Sequence, residues 1–273
     1  MLRQRYIVAA ILTPSAIFLI HLGGYAFQLA IITLLVLSAW EYIRLLGKIN
    51  LKPALPLVLI GILILALSRT FFQFSYNSVL LTLLLLGSAA YHIFQHERDI
   101  GNPATDFGAT LSVLLYIGFL GPYLISLRAL PDGKWWTFLV LPIVWIADSG
   151  AFLVGTAFGK HKLAPKTSPN KTWEGYFAGI LTGTLAGIGL PLLFVRVFDS
   201  GINITTIEGA ILGFIISAAI PLGDLTESMI KRQASCKDSG SLFPGHGGVF
   251  DRIDSLFWAA PIGYYLILHT ILQ

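Results

Sequence analysis

The chain has 273 residues, of which 55% are hydrophobic and only 12% charged, with a net charge of +4. A soluble domain carries roughly 25% charged residues, so this composition excludes a surface that faces water throughout. The single cysteine, Cys236, excludes an internal disulfide and any multi-cysteine metal cluster.

Crossing about 30 Å of hydrocarbon takes roughly 20 helical residues, and apolar runs of that order recur along the chain. Runs such as SVLLTLLLLGSAA (78–90) lack the period-two alternation of a membrane barrel, so helices are predicted. The expected spans are 6–21, 25–43, 53–69, 78–94, 107–127, 136–158, 173–195, 206–226 and 254–271. The first run, MLRQRYIVAAILTPSAIFLI, places basic residues before an apolar stretch as a signal peptide does. It lacks a small-x-small cleavage site, so a retained span is expected. His21-Leu22-Gly23-Gly24 divides the first two spans, because paired glycines are poor helix interior. The expected fold class is therefore an all-α polytopic membrane protein with about nine transmembrane helices, forming a single integral domain over 1–273.

Lysine and arginine set the orientation. Nine spans put Arg3, Arg5, Arg44, Lys48, Lys52, Arg98, Lys160, Lys162, Lys166, Lys171, Lys231, Arg232, Lys237 and Arg252 on the side of the N-terminus, leaving only Arg69, Arg128, Lys134 and Arg196 opposite. Basic loops favour the cytoplasm, so the N-terminus is expected inside and the C-terminus outside. More than half of the inner basic residues fall in two loops, 159–172 and 227–253. Anionic lipid head groups alone would account for such charge. The acids nearby ask for more.

Asp148 lies within the sixth span, in VWIADSGAFLVGTAFG, where a carboxylate costs about 3 kcal/mol or more unless a cavity, cation or proton accompanies it. It is a candidate metal ligand, against the plainer reading of a helix–helix hydrogen bond involving Ser149. Gly155 and Gly159 have the spacing of close helix packing. Asp224, Glu227 and Ser228 fall at i, i+3 and i+4 and so share one side of a helix. Such oxygen ligands suit magnesium, which combines a few carboxylates with substrate phosphates and waters. Pro221 and Gly223 suggest that this helix is locally broken beside a polar cavity.

The stretch KDSGSLFPGHGGVFDRID (237–254) concentrates charge and glycine in an otherwise apolar chain. Its glycines permit tight turns and close approach. The amides of Gly247 and Gly248 can contribute to an anion-binding concavity. Lys231, Arg232, Lys237 and Arg252 supply positive charge, and Asp224, Asp238, Asp251 and Asp254 are candidate metal ligands. Cations for phosphates and acids for a divalent ion are the parts of a phosphoryl-transfer site. His246 alone is weak evidence and can equally orient the loop. The other inner loop, GKHKLAPKTSPNKTWEG, offers Lys166, Ser168 and Lys171 to a polyphosphate or, alternatively, to the membrane surface. No Walker loop or dinucleotide fingerprint occurs.

The segment SMIKRQASCKDSGSLFPGHGGVFDRID closely resembles the signature of the phosphatidate cytidylyltransferases, or CDP-diglyceride synthases, at Ser228, Lys231, Arg232, Lys237, Asp238, Gly240, Pro244, Gly245, His246, Gly247, Gly248, Asp251, Arg252 and Asp254. WIADSGAFLVGTAFGKHKLAPKTSPNKTWEG is similar to a second region of that family, whereas residues 1–130 resemble it mainly in hydropathy and length. The resemblance implies attack by phosphatidic acid on the α-phosphorus of CTP, giving CDP-diacylglycerol and pyrophosphate. It also implies Mg²⁺, with K⁺ a candidate second cation, and a homodimer in the cell inner membrane whose site faces the cytoplasm. By the same resemblance, Asp224, Ser228 and Asp251 would hold a metal-ion pair, and the catalytic region would span about 141–255. Nucleic acid is not an expected partner. Rivals are a CTP-dependent polyprenol- or dolichol-type lipid kinase, which would release CDP, and an ion-coupled transporter.

Overall fold

Gly23 ends the first helix, with φ of 63°, and Gly24 follows at 54°, a backbone region that side-chain-bearing residues rarely adopt. The computed structural model, which describes residues 2–243 and 247–272, thus separates α1 (Leu2–Leu22) from α2 (Gly24–Lys48) where the paired glycines predict. Then come α3 (Leu55–Phe72), α4 (Asn77–His96), α5 (Pro103–Val113), α6 (Tyr123–Arg128), α7 (Gly133–Phe158), α8 (Trp173–Phe198), α9 (Thr206–Gln233), α10 (Phe250–Ile253) and α11 (Leu256–Leu266). A π-helical stretch, Leu114–Phe119, joins α5 towards α6, and another, Ile267–Ile271, extends α11. The protein is an all-α polytopic membrane protein. Among the described residues, seven helical segments are long and apolar enough to cross a bilayer: α2, α3, α4, Pro103–Arg128, α7, α8 and α9. Ala10–Leu22 is apolar but shorter.

Two compact units divide the chain, Met1–Ser126 with Ile230–Ile253, and Leu127–Met229 with Asp254–Gln273. In the first, the core is built from Leu35 on α2, Val58, Ile62 and Leu65 on α3, and Val113 and Ile117 around the π-helical stretch, each 2% exposed or less. Asp106 ties the connections between helices, accepting hydrogen bonds from Lys52 N (2.7 Å) and Asn102 N (3.1 Å). The Arg69 guanidinium lies 3.6 Å from the centroid of Phe74 and 4.3 Å from that of Tyr123, and Nη1 donates to Ser126 Oγ at 3.3 Å. Aromatic faces and a hydroxyl thus replace the water that this buried cation loses.

In the second unit, small residues bring backbones together. A side chain on Gly179 would press on the Ala147 carbonyl of α7, and one on Gly187 would strike the Gly209 carbonyl of α9. Without a hydrophobic drive between helices in lipid, such close packing is a main source of association. The α7–α8 connection folds into an antiparallel hairpin, β1 (Lys162–Ala164) on β2 (Ser168–Thr172), in register Lys162 to Thr172 and Ala164 to Ser168. Thr172 then caps α8 by accepting from Gly175 N at 3.2 Å.

One local expectation fails. Pro221 and Gly223 do not interrupt α9, which runs unbroken from Thr206 to Gln233. Pro221 deprives the Ser217 carbonyl of its helical donor. Tyr176 Oη of α8 donates to the adjacent Ala218 carbonyl at 3.2 Å, an example of a neighbouring helix supplying backbone partners around a membrane proline.

Candidate active site

Helical periodicity puts Asp224, Glu227 and Ser228 on one side of α9, and the turn between α10 and α11 brings Asp254 to them. Carboxylate oxygens of Asp224, Glu227 and Asp254 all lie within 4.8 Å of one another. Glu227 is 1% exposed and Asp254 9%. Gly223 permits the approach, since a side chain there would meet the Asp254 carbonyl at 2.7 Å and Ser255 Cα at 2.9 Å. Three acids at this spacing repel one another unless protons or a cation intervene. Hard carboxylate oxygens so grouped could hold a divalent cation. Two further groups address Asp224: Ser228 Oγ donates to Oδ1 at 3.1 Å, and the Lys171 ammonium lies 2.5 Å from Oδ2. Asp148 on α7 is within electrostatic reach of both Lys171 and Asp224. Ser149 bonds back to the Trp145 carbonyl at 2.7 Å.

The other unit holds the glycine-rich stretch. Asp251 Oδ1 accepts from Lys231 Nζ at 2.6 Å, while Oδ2 accepts from Ser239 N, Ser239 Oγ and Gly248 N, each at 2.8 Å. Charge-assisted bonds of this kind are about twice as strong as neutral ones. Gly247 adopts φ of 80°, and any side chain on it would strike the Asp251 carboxylate. Phe243 N donates to the Gly247 carbonyl at 2.9 Å. Glycine is therefore required here for close approach to acids of the chain itself.

The sequence-predicted residues sort accordingly. Asp224, Ser228, Lys171, Asp148 and Asp254 gather in one unit, and Lys231, Gly248 and Asp251 in the other. Lys166 stands exposed at the hairpin turn, with Ser168 half-buried at the start of β2. Lys237, Asp238 and Arg252 are exposed, and Arg232, also exposed, donates to the Cys236 carbonyl at 3.5 Å. His246 lies outside the described residues, as do Pro244 and Gly245. Glu227, grouped with Asp224 and Ser228 by helical spacing, takes its place beside Asp224. One participant was not singled out from sequence. Glu41 on α2 accepts hydrogen bonds from the glycine-rich stretch, and nothing in its local sequence, SAWEYIR, announces that.

Comparison with known proteins adds an independent line. The Cytidylyltransferase family model matches residues 3–270. The phosphatidate cytidylyltransferase of Synechocystis is 33% identical over 97% of this chain and 96% of its own. That of Bacillus subtilis is 31% identical over 97% of each chain, and that of Pseudomonas aeruginosa 37% identical over 96% and 95%.

Proposed function

Because the chain belongs to the cytidylyltransferase family and is thereby a nucleotidyl-transferring enzyme, we propose that it moves the cytidylyl group of CTP onto phosphatidic acid. A phosphate oxygen of the lipid attacks the α-phosphorus, the bond from that phosphorus to the bridging oxygen breaks, and pyrophosphate leaves. CDP-diacylglycerol is the lipid product. The observation that best supports this chemistry is the carboxylate trio of Asp224, Glu227 and Asp254, with Lys171 against Asp224.

Asp224, Ser228, Asp251 and Asp148 are the proposed metal ligands, with Mg²⁺ as the ion and K⁺ as a candidate second cation. A bound divalent ion would polarise the phosphorus and offset charge on the leaving group. The chain's own groups do the positioning. Lys166, Ser168 and Lys171 of the hairpin, with Lys231 and Arg232, are assigned to the triphosphate, and Lys237 and Arg252 to charge developing on pyrophosphate. His246, Gly247 and Gly248 are assigned to the nucleotide. Asp238 and Asp254 are assigned to the catalytic residues. The lipid phosphate is ionised near neutral pH, so no strong general base is required. Holding the lipid at the bilayer boundary replaces free encounter by a positioned approach.

We place the enzyme in a cell inner membrane as one integral domain over 1–273, with catalytic region about 141–255, its site facing the cytoplasm, and a homodimer as the assembly. The excess of basic residues in the inner loops supports that orientation. The test is a purified-protein assay with radiolabelled CTP and phosphatidate that resolves lipid product and released phosphates. CDP-diacylglycerol with pyrophosphate is expected. CDP with a phosphorylated lipid would instead identify a lipid kinase.

A further inference from the structure

A carboxylate buried on a membrane helix, far in sequence from the signature stretch, holds that stretch in shape. Glu41 lies on α2 at 3% exposure. Its Oε1 accepts from Val249 N at 3.1 Å, and its Oε2 accepts from Phe250 N at 2.9 Å and faces Ser239 Oγ at 2.9 Å. Side chains at Gly240 or Gly248 would collide with this carboxylate, so two signature glycines are shaped around it. The neighbouring Tyr42 stacks on Phe250, with ring centroids 5.3 Å apart and planes at 18°. Consecutive residues of α2 therefore grip consecutive residues of the signature, one by charge and one by aromatic contact.

The grip reaches Asp251 through one hydroxyl. Ser239 Oγ lies 2.9 Å from Glu41 Oε2 and 2.8 Å from Asp251 Oδ2. It carries a single hydrogen, so it donates to one carboxylate at a time and couples the position of each to the other. Ser239 N also donates to Asp251 Oδ2 at 2.8 Å.

We infer that Glu41 is a positioning residue for cytidylyl transfer: its carboxylate fixes the backbone of the signature stretch at Ser239 and at Val249–Phe250, and so sets the orientation of Asp251. The inference rests on the transfer reading above for its catalytic consequence, but its structural part is measurable separately. Glutamine at 41 has one acceptor oxygen, so it fails either Val249 N or the Phe250–Ser239 side. A buried amide left without its acceptor is costly, which is why the stretch shifts rather than tolerating the change.

The full-length protein and its Glu41→Gln and Ser239→Ala variants, in nanodiscs, would be compared by amide hydrogen exchange and steady-state kinetics. Glu41→Gln is expected to speed exchange at Val249 and Phe250 and to raise KM for CTP about tenfold, the scale set by losing one buried hydrogen bond to a charged group. Ser239→Ala, which leaves the Glu41 contacts to Val249 and Phe250 in place, should raise KM for CTP about threefold on the scale of one modest hydrogen bond, with exchange at those two amides unchanged. Wild-type exchange and KM in Glu41→Gln would overturn the inference. So would a fall in kcat at constant KM with unaltered exchange, since that reports only less folded enzyme. Should the wild type fail to form CDP-diacylglycerol, the transfer reading falls, while exchange at Val249 and Phe250 still upholds or overturns the anchor.

Discussion

Lys231 and Asp251 lie 2.6 Å apart with side chains only 10% and 5% exposed, so each depends on the other for its charge. Removing one partner of such a pair costs roughly 3–5 kcal/mol, because the remaining charge stays buried. Lys231→Ala is therefore expected to lower the melting temperature measurably as well as activity. Asp251→Asn puts an amide where Lys231, Ser239 and Gly248 all donate, and transfer should fall at least about 100-fold, the scale on which a group that stabilises charge in the transition state matters. Assay of that variant with radiolabelled CTP decides it: turnover like the wild type would remove Asp251 from the chemistry. Asp224→Asn weakens a different group, the trio with Glu227 and Asp254. It should raise the Mg²⁺ concentration for half-maximal rate by about tenfold, as loss of one carboxylate ligand predicts. An unchanged Mg²⁺ titration would count against its assignment.

Helix positions were legible because lipid imposes one apolar pattern throughout. The expected span 173–195 becomes Trp173–Phe198, and 25–43 becomes Gly24–Lys48. The hairpin at 162–172 escaped notice since KLAPKTSPNKT has no alternating apolar face and carries two prolines. Continuity of α9 through Pro221 was hidden for another reason: membrane helices tolerate proline where neighbouring helices supply backbone partners, as Tyr176 of α8 does at the adjacent Ala218 carbonyl. At the site, i and i+3 spacing revealed Asp224 and Glu227, but not that Asp254, thirty residues beyond Asp224, joins them. Packing between helices supplies its own prediction. Gly187→Ala would drive a methyl group into the Gly209 carbonyl. Overpacking costs about 1–3 kcal/mol, so thermal stability in detergent should drop while KM for CTP holds. A melting curve superimposable on that of the wild type would show that α8 and α9 separate at little cost.

The proposed orientation in the bilayer rests on charge, and Arg69 sharpens the asymmetry. It is one of four basic residues counted on the outer side, yet its guanidinium is buried against Phe74 and Tyr123. The side proposed as outer therefore presents even fewer positive charges than the count implies. Cys236 gives a native probe of that orientation, being the sole cysteine and half-buried in the loop proposed as inner. A membrane-impermeant maleimide should label it in inside-out vesicles and spare it in intact cells. The opposite pattern would invert the topology and move the proposed site to the wrong face for CTP.

The bonds from Glu41 join residues 198 to 209 positions apart. Chains are synthesised from the N-terminus, at about 5–20 residues per second, so this acid emerges well before its partners exist. For that interval, the Glu41 carboxyl group on α2 lacks the donors of the signature stretch. Completion of the signature stretch is then also a maturation event. Only products that extend through Phe250 supply all three donors to that carboxyl group, so a chain truncated before Ser239 would leave α2 without any of them.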